Sequence, residues 1–373
     1  MTQPVVAILG GGQLGLMFAQ AASRYGVSVW SLCPEKRPII ARVARHIQGD
    51  YEDTKCLDEL ILGAQAVTLE FENIPVQTLR YLTERMAVRP GAKALQIAQD
   101  RRLEKTFFRD EAKIPTTEFA VVETEQDIAK LHDFSFPAVL KTARDGYDGK
   151  GQVKVLSWDE LTQAWATLKQ VPCMLEAFVN FQEELSVIIA RGVAGDVAVY
   201  GPFLNEHESH ILATSWSGID WPDSIHQQAK EIAVATAEHL EYVGVLCIEL
   251  FRVGDRLLVN EMAPRPHNSG HLTIEGFMSS QFDQQVRATL GFPVGPVVQR
   301  QPTAMINLIG ATLPIEQQHQ LLTRKGMHWH WYGKDGVQPG RKVGHITLEA
   351  PTLADLREEV KAVKAILPCG LQP

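Results

Sequence analysis

The sequence predicts an α/β domain followed by α+β domains, and three features carry that expectation. A buried strand, a glycine turn, a helix and a second strand succeed one another within the first 33 residues, which implies a parallel sheet. A glycine-rich loop near residue 146 separates two strand-like runs. Beyond residue 185, antiparallel-looking strands and a hairpin predominate. At 373 residues the chain exceeds what one hydrophobic core usually holds, so two or three domains are expected.

Residues 5–9 read as the first strand, following Met1-Thr-Gln-Pro4 too closely for a signal peptide. Residues 10–12 form a turn, 13–25 a helix ending before Gly26, and 27–33 the second strand. A charged helical stretch, 100–113, stops at Ile114-Pro115, a signal for a new domain. Runs 136–141 and 152–156 are strands around the glycine loop, 158–170 a helix and 174–179 another strand. A helix over 225–242 precedes a hairpin of 244–251 and 256–262, turning at Gly254-Asp255. The C-terminal stretch, with short strands and many turn residues, reads as a small β-rich appendage.

The apolar fraction of 45% and charged fraction of 21% are those of a soluble globular protein. A net charge of -8 argues against general affinity for nucleic acid or anionic membranes, so anionic substrates must meet local basic clusters. The five cysteines are odd in number and never form C-x-x-C, as suits a reducing cytoplasm. The most apolar stretch, 233–251, is broken by Glu238, His239, Glu241 and Glu249, which excludes a membrane span there. No G-x-S-x-G, H-E-x-x-H or Walker A motif occurs.

Two glycine motifs suggest anion binding. Gly10-x-Gly12-x-x-Gly15 follows a strand, opens a helix and has Glu35 after the next strand, which fits a dinucleotide site or simply a tight turn. Lys141-Thr-Ala-Arg-Asp-Gly146-Tyr-Asp-Gly149-Lys150-Gly151-Gln152 combines flexible glycines with lysines, a composition that lets amides and ammonium groups converge on phosphate. An ordinary hairpin loop explains it too.

Glu249 lies among apolar neighbours, where a charge needs compensation. A three-residue turn at 254–256 places it opposite Glu261, whereas a two-residue turn at Gly254-Asp255 places Asn260 there. Facing carboxylates repel unless a divalent cation joins them, and carboxylates plus phosphates are the oxygen ligands Mg2+ prefers. Ala263-Pro-Arg265-Pro-His267-Asn268-Ser269-Gly270-His271 is dense in donors, and Lys334 with Arg341-Lys342-Val-Gly-His345 adds cations suited to a phosphate monoester. His207-x-x-His210 and His328-x-His330 have metal-like spacings with no evident third ligand, and polar surface explains them equally.

The ordered set Gly10-Gly-Gly-Gln-Leu-Gly15, Glu70-Phe-Glu-Asn73, Gln99-Asp-Arg101, Asp145-Gly-Tyr-Asp-Gly-Lys-Gly-Gln152, Asn260-Glu-Met-Ala-Pro-Arg-Pro-His-Asn-Ser-Gly270 and Arg341-Lys-Val-Gly-His345 resembles the N5-carboxyaminoimidazole ribonucleotide synthetases of purine biosynthesis, over nearly the whole chain. The resemblance implies an ATP-grasp fold with an N-terminal parallel-sheet domain at 1–100, a small nucleotide-covering domain at 101–184, and a metal- and substrate-binding domain at 185–373. It also implies a cytoplasmic homodimer that uses ATP and Mg2+. Its reaction joins 5-aminoimidazole ribonucleotide and bicarbonate through carboxyphosphate, releasing ADP and phosphate.

By position, the resemblance assigns ATP to Arg101, Lys141, the covering loop Gly146, Tyr147, Asp148, Gly149, Lys150, Gly151 and Gln152, the segment Glu176, Ala177, Phe178 and Val179, and Glu184, His207, Asn260 and Glu261. It assigns the metal to Glu249 and Glu261, and the ribonucleotide to Tyr147, Asp148, Arg265, His267, Asn268, Ser269, Lys334, Arg341 and Lys342. Lys141, Arg265, Glu249 and Glu261 are then the catalytic group. Alternatives are another ATP-grasp ligase, such as a formate-dependent glycinamide ribonucleotide transformylase, a nicotinamide-dependent oxidoreductase, and a non-catalytic nucleotide-binding regulator.

Overall fold

Strand β1 (Val5–Leu9) lies at the centre of a five-stranded parallel sheet with β2 (Ser28–Cys33), β3 (Arg45–Gln48), β4 (Ala66–Leu69) and β5 (Ala87–Val88), in the order β3-β2-β1-β4-β5. The structure is a computed structural model and describes residues 3–144, 146, 151–336 and 338–368. Successive residues of β1 enter different cores: Val6 and Ile8 pack with Met17 and Phe18 of the following helix, while Ala7 and Leu9 pack with Leu57, Leu60 and Leu79. Burial on both faces is what a parallel sheet requires.

The glycine turn after β1 is filled from within. The Glu70 carboxylate accepts hydrogen bonds from the Gly12 and Gly15 amides, the latter at 2.6 Å, and a Cβ on Gly10 would collide with Glu70 Cγ. A carboxylate therefore stands at the helix N-terminus, where a dinucleotide would place its pyrophosphate. That disposes of the oxidoreductase alternative and leaves the tight turn. Burial raises the Glu70 pKa while the glycine amides oppose the rise.

The second unit is an antiparallel sheet of β6 (Phe119–Val122), β7 (Ala138–Thr142), β8 (Gln152–Val155) and β9 (Cys173–Ala177), ordered β6-β9-β7-β8. Its core joins Leu140, Val155 and Leu175 to Leu161 and Trp165 of the helix Trp158–Thr167. The expected helix at 100–113 is α-helical only over Arg101–Thr106, capped by Asp100, and widens into a π-helix at Phe107–Glu111.

The largest sheet holds β10 (Glu183–Arg191), β11 (Val197–Glu208), β12 (Ile211–Ser217), β13 (Gly244–Val253), β14 (Arg256–Ala263), β15 (Thr303–Ile309), β16 (Met327–Trp331) and β17 (Lys342–Glu349). Its order is β14-β13-β10-β11-β12-β15-β17-β16, with every neighbouring pair antiparallel. Along β10, Leu185, Val187 and Ile189 pack in one cluster with the helix Asp223–His239, and Ile188 and Ala190 pack in another with Leu272 and Phe277. The C-terminal strands are not an appendage: β15, β17 and β16 extend this same sheet, and the helix Leu353–Ile366 packs on them.

The helix Gln281–Leu290 joins the N-terminal sheet to the large one. Gln285 accepts the Val245 amide of β13 at 2.5 Å and donates to Thr68 Oγ1 of β4 at 2.7 Å. Phe282 and Val286 pack with Ile8 and Phe18. Replacing Glu70 by Ala strands the amides it binds, with an expected loss of about 1–3 kcal/mol. Urea unfolding checks this, and an unchanged midpoint would mean that these amides find other partners.

Candidate active site

The hairpin of β13 and β14 carries the two acids, and its register combines both expected arrangements. Val253 pairs with Arg256, so the turn is the two-residue Gly254-Asp255. Continued regularly, that pairing would set Asn260 opposite Glu249. A bulge instead makes Asn260 the extra residue, and Glu249 pairs with Glu261.

Glu249 is only 17% exposed. Burial first, and then the charge of Glu261, push its pKa up to about 8. Glu104, whose side chain approaches β14 from the helix Arg101–Thr106, is pushed up to about 8 by burial and by the same Glu261. Nearby cations offset part of this rise, His207 and Lys342 at Glu249 and Lys105 and Arg101 at Glu104. Among the described residues no group of three or more His, Cys, Asp or Glu side chains is placed to hold a metal. The facing Glu249 and Glu261 carboxylates are hard oxygen donors of the kind that divalent cations take.

The loop after β14 brings hydrogen-bond donors to Glu249. His267 Nε2 lies 3.2 Å from Glu249 Oε1. Its Nδ1 accepts the Ser269 amide at 3.4 Å and lies 2.9 Å from Ser269 Oγ, which in turn accepts from Ser186 Oγ of β10 at 2.8 Å. Burial, reinforced by Arg265, keeps the imidazole neutral. The bonding pattern then assigns the proton to Nε2, facing the carboxylate. Gln281 braces this loop through both the amide and the carbonyl of His267. Asn268 is tied to Asn307 of β15.

Arg265 pairs with Glu72 at 2.5 Å. Burial favours neutral Glu72, but the arginine's charge and hydrogen bond outweigh it, and the carboxyl falls below its ordinary value. This pair links the N-terminal domain to the hairpin loop.

On the small sheet, Glu176 accepts from two lysines: Lys105 reaches Oε2 at 3.2 Å and Lys141 reaches Oε1 at 3.2 Å. Burial opposes its charge, yet the two ammonium groups hold the Glu176 carboxyl down to about 2. One carboxylate between two lysines leaves a positive charge over. Lys141, 20% exposed against 1% for Lys105, is the lysine able to present it.

Arg101 donates to the carbonyls of Thr142 and Gly146, fixing the base of the glycine loop. Gly151 and Gln152 hold its other end, where Thr142 N–H meets Gly151 O at 2.8 Å and Lys141 pairs with Gln152. Tyr147, Asp148, Gly149 and Lys150 lie outside the described residues. Past β9, Ala177 and Phe178 donate their amides to the Glu118 and Pro137 carbonyls, and Lys154 lies 4.8 Å from the centre of the exposed Phe178 ring. Val179 follows, half-buried.

His207 sits where β11 departs from regular pairing and binds Glu184. Burial opposes protonation, but the Glu184 bond and the charges of Glu184 and Glu249 raise its pKa above the ordinary value. His210 lies in the exposed turn between β11 and β12 instead of beside it. His328 and His330 bond separately to Glu349 and Glu275.

Near the start of β17, Lys334 is pushed down to about 8 by burial and by the charges of Arg341 and Lys342. The three cations are thus near enough to repel one another, the condition for anion binding. Lys342 also acts electrostatically on Glu249, His207 and His267, which joins this cluster to the hairpin.

Glu72, Glu104 and Lys105 carry contacts that sequence reasoning did not assign. The available signal was charge in apolar company, Glu104-Lys105 before Phe107-Phe108 and Glu72 after Val67-Thr-Leu69.

These features define an ATP-grasp protein. The ATP-grasp domain family matches residues 107–282, the ribonucleotide synthetase pre-ATP-grasp domain residues 3–99, and the phosphoribosylaminoimidazole carboxylase C-terminal domain residues 303–359. The chain belongs to the N5-carboxyaminoimidazole ribonucleotide synthase family. It is 39% identical to the Pseudomonas aeruginosa member over 97% of this chain and 99% of that protein. The Thermus thermophilus synthetase superposes with a TM-score of 0.91 at 41% identity, covering 97% of this chain and 98% of that one. The Aspergillus clavatus N5-carboxyaminoimidazole synthase, solved with ADP and 5-aminoimidazole ribonucleotide, gives 0.87 at 28% identity over 98% of both chains.

A carboxyl whose folded pKa is raised takes up a proton on folding between its unfolded value, 4.5, and about 8, so stability falls as pH rises through that window. The Glu249 contribution to the stability of the metal-free protein should therefore fall between those limits, so the difference in melting temperature between the wild type and Glu249→Gln should shift across them against the wild type. Parallel melting curves for the two proteins across that range would refute the shift.

Proposed function

We propose that this protein carboxylates the exocyclic amine of 5-aminoimidazole ribonucleotide with bicarbonate, consuming ATP and giving N5-carboxyaminoimidazole ribonucleotide, ADP and phosphate. It is an ATP-dependent carbon–nitrogen ligase of purine biosynthesis. The observation that carries the reading is the bulged hairpin, which sets Glu249 opposite Glu261 beside the loop of Arg265, His267 and Ser269.

In this reading the chain divides at 1–100, 101–184 and 185–373, and ATP lies between the small and the large sheet. Lys141 turns its ammonium to the phosphates, with Glu176 and Lys105 setting its position. Arg101, anchored at the Thr142 and Gly146 carbonyls, would meet the phosphates as well, and Gly146 to Gln152 would be the segment that covers the nucleotide. The segment 176–179 receives the base, Glu184 and His207 the ribose, and Asn260 the phosphate side. Glu249 and Glu261 would hold Mg2+, which when bound neutralises phosphate charge during transfer.

Bicarbonate oxygen attacks the γ-phosphorus, the bond to ADP breaks, and carboxyphosphate results. The amine then bonds to the carboxyl carbon, phosphate departs and the amine loses a proton. No protein nucleophile is required, so the residues act by orientation and charge. Arg265, His267, Asn268 and Ser269, with Tyr147 and Asp148, would orient the ribonucleotide, and Lys334, Arg341 and Lys342 its phosphate. A cytoplasmic homodimer belongs to the same reading, checked by localisation of a tagged chain and light scattering.

Phosphate release should require the aminoimidazole ribonucleotide together with bicarbonate. Release driven instead by glycinamide ribonucleotide and formate would transfer the chain to the alternative ligase. Glu249→Gln should lower turnover by about 100-fold or more, since the charge stabilisation lost is worth several kcal/mol. Wild-type turnover by a folded Glu249→Gln protein would remove the metal assignment.

A further inference from the structure

β14 is the edge strand of the large sheet, and on its outer side the described residues make only an isolated parallel bridge, Thr116 with Val259. In a regular strand, outward amides recur at every second residue. Here Val259 N–H meets Pro115 O at 2.9 Å, and Met262 N–H meets Glu104 Oε1 at 2.6 Å. The odd separation of residues 259 and 262 is the trace of the bulge at Asn260. On the near side of the bulge, the Val259 carbonyl accepts from Thr116 Oγ1 at 2.9 Å and from Lys105 Nζ at 3.3 Å. On the far side the edge contact is made by Glu104, only 3% exposed.

We propose that Glu104 is a positioning residue for the metal-binding hairpin: by accepting the Met262 amide it holds the bulge that turns Glu261 towards Glu249. The proposal rests on the metal reading above. Without the bulge, the two-residue turn would bring Asn260 opposite Glu249, replacing an anionic ligand by a neutral amide. With it, the outward amide moves to Met262, where Glu104 is waiting. What the hairpin needs from Glu104 is an acceptor oxygen. Gln supplies one at the same reach, and Ala does not.

The test uses Mn2+ as the probe, with the full chain and ADP, following free Mn2+ by electron paramagnetic resonance. Glu104→Ala should weaken Mn2+ binding roughly 10–100-fold, the usual effect of removing an outer support of a metal ligand. Its affinity for ADP without metal should stay near that of the wild type. Glu104→Gln should bind Mn2+ as the wild type does and keep slow hydrogen exchange at the Met262 amide. A folded Glu104→Ala protein with wild-type Mn2+ affinity overturns the proposal, as does a Glu104→Gln protein as weak as Glu104→Ala. Should Glu104→Ala not fold, Glu104→Gln decides, with loss of either Mn2+ affinity or Met262 protection counting against the proposal. Glu249→Gln is the control: Mn2+ binding undiminished there sinks the metal reading itself, whereas failure confined to Glu104 leaves that reading standing.

Discussion

Two carboxylates held face to face across a partly buried hairpin are a liability unless something forces them together, and the surrounding structure depends on that constraint. Glu249 is fixed in the middle of the β10–β13–β14 ladder, where its neighbours along the strand are core residues. Glu261 is brought opposite by a local departure from regular pairing. Burial first, and then this repulsion, raise the Glu249 pKa, and a nearby cation would oppose both effects.

The rest of the charge distribution complements this centre. The chain is net acidic, yet cations gather where Lys105 of the helix Arg101–Thr106 and Lys141 of β7 flank Glu176 of β9, and where Lys334, Arg341 and Lys342 lie near β17. Each lysine of the first group is fixed by a carboxylate, which limits its motion without cancelling the total charge. In the second group the charges of Arg341 and Lys342 lower the Lys334 pKa. In the proposed reading the first group meets the phosphates of the nucleotide and the second the phosphate of the ribonucleotide. The first glycine turn, by contrast, is already filled by the Glu70 carboxyl.

Precision at the centre comes from polar contacts that cross domain boundaries. Gln285 bridges β13 and β4, Glu72 grips Arg265, and Glu104 and Lys105 grip the outer edge of β14. Gln285, Glu104 and Lys105 are buried polar groups, and Glu72 a partly exposed one, each satisfied by a partner far away in sequence, where a misplaced partner would be costly. The hairpin is therefore located relative to both neighbouring sheets rather than by its own turn.

Much of this was legible in residue order. Period and turn signals marked β1, the helix Gln13–Ser23 and the hairpin to within a few residues, because those patterns depend on neighbours along the chain. The family resemblance named the residues around the loop 263–271, and the isolation of Glu249 among apolar residues pointed to a compensated charge. The hairpin register was not legible, because one extra residue in β14 reverses every facing pair and nothing local announces a bulge. Nor was the merging of the C-terminal strands into the large sheet, since strand order is decided by pairing across long stretches of chain. The roles of Glu70, Glu72, Glu104 and Lys105 belong to the same class. Residue order alone supplies the chemical groups and the local elements that carry them. Folding alone selects which carboxylate fills a glycine turn, which grips an arginine and which supports a strand edge, because each depends on a partner brought from another domain or another turn of the chain.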